Sequence, residues 1–379
     1  MKLTKFFVFA LAAVAMTFAA CEKVEKNPNP STGGNGGNGG DETKPTGDIT
    51  LVADKTAVAM GETVTFTVTD DAGQDVTSQA YIYDRDYNNV GSQVVLNESG
   101  SYEFFATVGS LNSNYVTIVV MASVPEVPAD PQPENYTFNH RALVIDQTGV
   151  NCGYCPQATE QLKTLENTEW HQYYNEVTCH AGSYAGGDPG NSAAANALNQ
   201  FQSGMISGYP CILVNFYGKP ADYGYTSVIN VLKNYVNKNG VNVGISLAVT
   251  GDATAVYCAA QVKSGEAKEY KITAWLLESG IYSPNQAGAT KDYHKIYNHA
   301  LRNMSHEYSK TNVQGDAYTF EANEVKDFAF ELPIISTKWA YEKMEVLVIV
   351  SAKDANGRWE VANSSVCKIN ESKEFEYVE

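Results

Sequence analysis

The chain has 379 residues, a formal net charge of −17, 44% hydrophobic and 11% aromatic residues. That length exceeds a single core, and that apolar content exceeds what a disordered chain carries, so several folded domains are expected. Strong negative charge without a basic stripe argues against nucleic acid as a partner.

Residues 1–20 read as an address. Met1 to Lys5 is a short basic stretch, and Phe6 to Ala20 is an apolar run too short for a comfortable membrane span. It ends on Phe18, Ala19, Ala20 and Cys21, small residues before a cysteine that resemble the lipobox of bacterial lipoproteins. The resemblance implies a lipoprotein signal peptide over 1–20, acylation of Cys21 and a membrane anchor through it. Ordinary signal cleavage near Ala20 is the alternative. Glu22, rather than Asp, after the cysteine points to the outer membrane, facing either periplasm or cell surface. Residues 21–47 include the run Gly33 to Gly40 and are expected to form a flexible tether with a reach of roughly 25–30 Å.

Over 48–122 apolar and polar residues alternate. Val64, Phe66 and Val68 are interleaved with Thr63, Thr65, Thr67 and Thr69, and the stretches Tyr102 to Val108 and Tyr115 to Val120 look like further strands. This predicts a small β-sandwich that resembles bacterial immunoglobulin-like modules, usually spacers or adhesive units. Residues 123–135 hold four prolines, at 125, 128, 131 and 133, and read as a stiff linker.

Residues 136–239 change character. The predicted order is a strand at Arg141 to Ile145, a helix from Cys152 to about Trp170, a strand at Val177 to His180 and a helix from Asn191 to about Ser203. A strand at Cys211 to Phe216, preceded by Pro210, and a helix from Ser227 to Asn237 follow. From 240 to 379, candidate strands at Val243 to Val249, Val256 to Val262, Ile272 to Leu277, Phe328 to Leu332, Val346 to Val350 and Ser364 to Ile369 predict a C-terminal β-sandwich.

The chemistry gathers at Cys152, Gly153, Tyr154, Cys155 and Pro156. A cysteine at a helix start meets unpaired N–H groups and the positive end of the helix dipole, which favour its thiolate. Cys152 is the expected nucleophile, and Cys155, one turn on, the resolving thiol. Asp146 lies six residues earlier, at the spacing at which thioredoxins bury a proton-shuttling acid. Tyr209–Pro210 lies about 55 residues later, where thioredoxins hold a cis-proline beside the cysteines. The predicted fold is thus multidomain α+β, with a thioredoxin-like α/β domain over 136–239 between two β-sandwiches. Tyr154, Tyr209 and Pro210 are the expected substrate-side residues.

The segment Arg141 to Pro156 resembles the thioredoxin-related segment of the 28-kilodalton outer-membrane-protein family of Bacteroidota. Asp146, Thr148, Gly149, Cys152, Gly153, Cys155 and Pro156 match its pattern, while Ile145 and Gln147 depart from it. Tyr297 and Asn298, followed by His299 to Arg302, resemble a second signature of that family. The resemblance spans about 136–379 and implies an outer-membrane lipoprotein.

A static disulfide is the plain alternative to a cycling dithiol, since exported cysteines oxidise and reduction needs a donor. Zinc would need two more ligands, which Cys179 and His180 could supply only by chance of folding. Cys258 and Cys367 fall on candidate strands and could form a structural disulfide. Cys211 could approach the dithiol or pair with Cys179, and four cysteines allow three pairings. His294, His299 and His306 share one polar segment and read as hydrogen-bonded or solvated rather than as metal ligands. Asp188, Pro189 and Gly190 read as a turn. The expected activity is thiol–disulfide exchange or isomerisation on extracytoplasmic proteins with thiols or disulfides, without cofactor or metal. A surface binding or adhesion lipoprotein, with that domain as scaffold, is the second reading.

Overall fold

The computed structural model describes residues 45–122 and 124–378. The expected signal peptide, Cys21 and nearly all of the tether lie outside the described residues. Strands dominate, and among the described residues only three α-helices occur: α1 (Cys155–Glu166), α2 (Ala193–Phe201) and α3 (Tyr225–Tyr235).

The first two sheets hold residues 49–121. Ile49–Ala53, Thr63–Asp70 and Gln93–Val95 form one; Ala57–Ala59, Val116–Met121, Gly100–Val108 and Tyr81–Asp84 form the other. The threonine-rich strand buries Val64, Phe66, Val68 and Asp70 and turns its threonines outward, because successive side chains point to opposite faces. Phe66 and Phe104 meet across the two sheets. The proline-rich segment is gripped by Lys263, a fully buried ammonium that donates to the Asp130 carboxylate at 2.7 Å and to the carbonyls of Gln132 and Pro133.

The central α/β domain expected over 136–239 is not a separate domain, and the expected α+β class is corrected to a mainly β protein. Ala142–Thr148 is flanked by Cys211–Val214, antiparallel, and Tyr174–His180, parallel. The sheet does not end there. Ala300–Met304 takes the free edge of Tyr174–His180, with Thr178 opposite Ala300. The sheet then runs on through Lys268–Glu278, Met344–Lys353 and Trp359–Lys368, and Asp316–Phe320 joins at Lys268–Glu278. The boundary expected at 239/240 divides the strands of one continuous eight-stranded sheet between its two sides. The physical reason is edge satisfaction: Tyr174–His180 would otherwise expose unpaired backbone groups, and Thr178 N–H donates instead to the His299 carbonyl at 2.8 Å.

A four-stranded sheet of Glu324–Pro333, Ala255–Ser264, Val243–Gly251 and Ser372–Lys373 packs on this large sheet. Ile245, Leu247, Val262, Ile272, Val346 and Val348 fill the space between them. At its other end the large sheet is covered on one face by α2, through Ala194, Ala195 and Leu198, and on the other by α1 and α3, through Leu162, Leu165, Val228 and Leu232.

Candidate functional site

Cys152 and Cys155 are joined as a disulfide with their Cα atoms 5.4 Å apart. The helix starts at Cys155, not at Cys152 as expected. Cys152 N–H closes a turn onto the Gly149 carbonyl at 3.0 Å, and Tyr154 holds the N-cap position without a side-chain cap. Pro156 sits in the first turn, where its missing N–H costs nothing.

Both cysteines are only 2% exposed. A strap from the second half of the chain closes over them. Ala287 N–H donates to the Val150 carbonyl at 2.8 Å, and Gln286 Nε2 donates to the Cys152 carbonyl at 3.2 Å. Tyr297 OH donates to Gln286 Oε1 at 2.7 Å and fixes that amide. Gly288 has φ +71° and lies so close to Gly153 that a Cβ there would overlap the Gly153 carbonyl oxygen. Farther along, Lys291 Nζ and His294 Nε2 reach Glu160 on α1 at 2.6 and 2.7 Å. These contacts, with Lys291 first, hold the Glu160 carboxyl low, at about 2.

Beneath the disulfide lies a cavity of about 490 Å³, lined by Cys155, Asp146, Glu176, His180, Gln286 and Tyr297 among others. Asp146 is 3% exposed and its Oδ1 has no hydrogen-bond partner. Burial, then the Glu176 charge, pushes its carboxyl up to about 8. Asp188, read as a turn residue, is buried and does structural work. It accepts from Val150 N–H at 2.7 Å and from Gly190 N–H at 2.8 Å, and it pairs with His180 Nδ1 at 2.9 Å. Burial alone would raise its carboxyl, but the His180 contact and the Gly190 and Val150 N–H bonds together hold it low. Only a local turn was visible in sequence at Asp188; its partner His180 lies on a strand end.

The other singled-out residues separate into distinct places. Tyr209–Pro210 is a cis peptide. Tyr154, Tyr209 and Pro210 line a second cleft of about 300 Å³, apart from the cavity that Cys155 lines. Tyr154 is exposed, while Tyr209 OH accepts from Asn199 at 2.6 Å. Cys258 and Cys367 are separate buried thiols rather than the disulfide that sequence allowed. Cys179 turns its thiol to the Ala195 carbonyl at 3.1 Å, and Cys211 is also free. His294, His299 and His306 do not converge: their partners are Glu160, Glu345 and Thr273. Among the described residues no cluster suits a metal ion.

Fold and site together define a class: a β-rich protein in which a strapped Cys-x-x-Cys disulfide caps a polar cavity. The family model of outer membrane protein Omp28 matches residues 198–373. That span holds the strap and the His299 to Arg302 signature but not Cys152 to Cys155, and it supports outer-membrane association. Among solved structures, HBP35 of Porphyromonas gingivalis is similar at 17% identity and TM-score 0.51, over 63% of this chain and 78% of that one, a likeness of fold alone. A beta-glucosidase from Kluyveromyces marxianus (12% identity, TM-score 0.17, 37% of this chain and 15% of that one) carries no argument. Nor does the Yersinia pseudotuberculosis adhesin InvE (8% identity, TM-score 0.15, 85% and 59%). No curated protein matches the sequence.

Proposed function

We propose that the chain is an outer-membrane-associated lipoprotein, anchored at Cys21, whose Cys152–Cys155 pair exchanges disulfides with extracytoplasmic proteins once the strap lifts. The observation that carries this reading is Asp146. A buried acid with an unpartnered oxygen, sharing a cavity wall with Cys155, is costly. A staple needs no such group, whereas a leaving sulfur needs a proton donor. In the exchange, a thiolate of a substrate dithiol attacks Cys152 Sγ, and the Cys152–Cys155 bond breaks. The Cys155 thiolate leaves and takes the proton held by Asp146. The second substrate thiolate then attacks its own partner sulfur and releases the Cys152 thiolate. The substrate is oxidised by two electrons and the Cys152–Cys155 pair is reduced; of the two protons the substrate gives up, one returns to Asp146 and the other protonates the Cys152 thiolate. Tyr154, Tyr209 and Pro210 form the flanking cleft for the substrate chain.

A second reading has one observation in its favour: both sulfurs are sealed, as in a structural bond. In it the chain is a surface binding lipoprotein with a permanent disulfide. A trapping experiment separates the two. Cys155→Ser is expected to accumulate mixed disulfides through Cys152 in intact cells, and a Cys152→Ser, Cys155→Ser double variant none. No trapped species, together with a pair that resists reduction in the glutathione range, would decide for the permanent disulfide.

A further inference from the structure

The cavity under the disulfide has a floor that hydrophobic packing does not account for. Along Tyr174–His180 the residues Tyr174, Glu176, Thr178 and His180 share one face of the strand. Asp146 stands level with Thr178 on the neighbouring strand. Such a face under a helix is ordinarily apolar, as Ala142 and Val144 are at its far end.

Three polar atoms of this floor are buried without partners: Asp146 Oδ1, Tyr174 OH and His180 Nε2, on residues that are 3%, 5% and 1% exposed. The Glu176 carboxylate also makes no hydrogen bond among the described residues. The Asp146, Tyr174 and Glu176 oxygens can each accept a hydrogen bond. His180 turns Nδ1 to Asp188 and leaves Nε2 without a partner on the cavity wall. Charge is unbalanced in the same direction. Glu166 and Glu176 line the cavity beside the protonated Asp146, while Arg141 and Lys373 are engaged with Glu376 and Lys163 lies on the Tyr293 ring. His299 faces Glu176 but is matched by Glu345 at 2.5 Å. Water would satisfy lone pairs but brings no charge. A group with several N–H donors and a positive charge supplies both.

We propose that this cavity binds a compact organic ammonium ion, a primary alkylamine, seated between Asp146 and Glu176 and capped by Tyr174 and His180. A cavity of about 490 Å³ accommodates a chain of a few carbons with room to spare. The site does not depend on exchange at the disulfide.

The test is calorimetric titration of the oxidised full chain in physiological salt, with putrescine as probe and 1,4-butanediol as its neutral counterpart. Saturable binding of one putrescine and none of the diol is expected. Glu176→Gln should weaken putrescine at least tenfold, and so should Tyr174→Phe, which serves if the first variant does not fold. Binding is read on the oxidised chain alone, with no thiol substrate present, so absence of exchange would leave this site standing. No saturable putrescine binding, equal binding of the diol, or affinity unchanged in both variants would overturn the assignment.

Discussion

Asp146→Asn gives the sharpest test of the buried acid. In the unfolded chain this carboxyl releases its proton near 3.8; in the folded chain it does so near 8. Below 3.8 both states hold the proton and the fold bears no penalty. Between the two values only the unfolded chain is ionised, and each pH unit removes about 1.4 kcal/mol from folding stability. The penalty reaches about 4 kcal/mol at pH 7 and levels at about 6 kcal/mol above pH 8. Asparagine has nothing to ionise. The variant should thus exceed the wild type by about 2 kcal/mol at pH 5, about 4 at pH 7 and a plateau near 6, to order of magnitude. Any change in packing from the amide moves the whole curve by a constant and leaves the slope alone. Urea unfolding followed by tryptophan fluorescence is the assay, because Trp170, Trp275, Trp339 and Trp359 all lie beyond the first sandwich. A gap independent of pH would refute the buried, protonated carboxyl. The same variant, lacking the proton, should also exchange disulfides more slowly than wild type.

Other outcomes follow from the strap and the seam. Gly288→Val places a side chain against the Gly153 carbonyl at a positive φ, so the strap should lift and dithiothreitol should reduce the pair about tenfold or more faster. Gln286→Ala, which loses its bonds to Cys152 and Tyr297, should do so more mildly; unchanged rates in both would deny the strap its role. Glu160→Gln removes the charge that holds Lys291 and His294, and faster hydrogen exchange over residues 286–295 is expected. Arg302→Ala leaves Glu278 buried without its 2.7 Å partner and should cost about 3–5 kcal/mol in chemical denaturation. Arg302→Met with Glu278→Gln should recover part of that loss, and no recovery would argue that packing of the Arg302 stem dominates.

Local patterns were readable where burial is periodic. The threonine-interleaved strand lies at Thr63–Asp70, and the segments expected at Arg141 to Ile145, Val177 to His180 and Ser227 to Asn237 lie within a few residues of Ala142–Thr148, Tyr174–His180 and α3. What failed was the inference from alternation to a self-contained domain. Strand order inside 142–214 says nothing of what takes the open edge of Tyr174–His180, and the partner, Ala300–Met304, lies 120 residues away. The site divides the same way. The dithiol, Asp146 and the Tyr209–Pro210 peptide were legible as residue types at fixed spacing. The strap was not, because Gln286, Ala287 and Gly288 act largely through backbone groups that any polar loop possesses. Nor was the polar floor, since Tyr174, Glu176, Thr178 and His180 reveal themselves only when α1 is seen to lie over that face.

The seam between the two halves explains why they cannot be parted. Thr178 Oγ1 donates to the Asn298 carbonyl, Ser192 Oγ to the Leu301 carbonyl and Arg302 Nη1 to the Pro189 carbonyl, all at or beside the Ala300–Met304 strand. Val177 and Leu198 of one half pack with Leu277 and Leu301 of the other, which holds the junction together, and these bonds fix its alignment. They set the register: each is satisfied in one alignment of Ala300–Met304 against Tyr174–His180, and a one-residue slip would break them together. That same alignment delivers Tyr297 and Gln286 to the Cys152 carbonyl. The seal over the disulfide is thus set by the pairing that completes the sheet, and the chemistry of the cysteines belongs to the whole of 136–378 rather than to the segment that contains them.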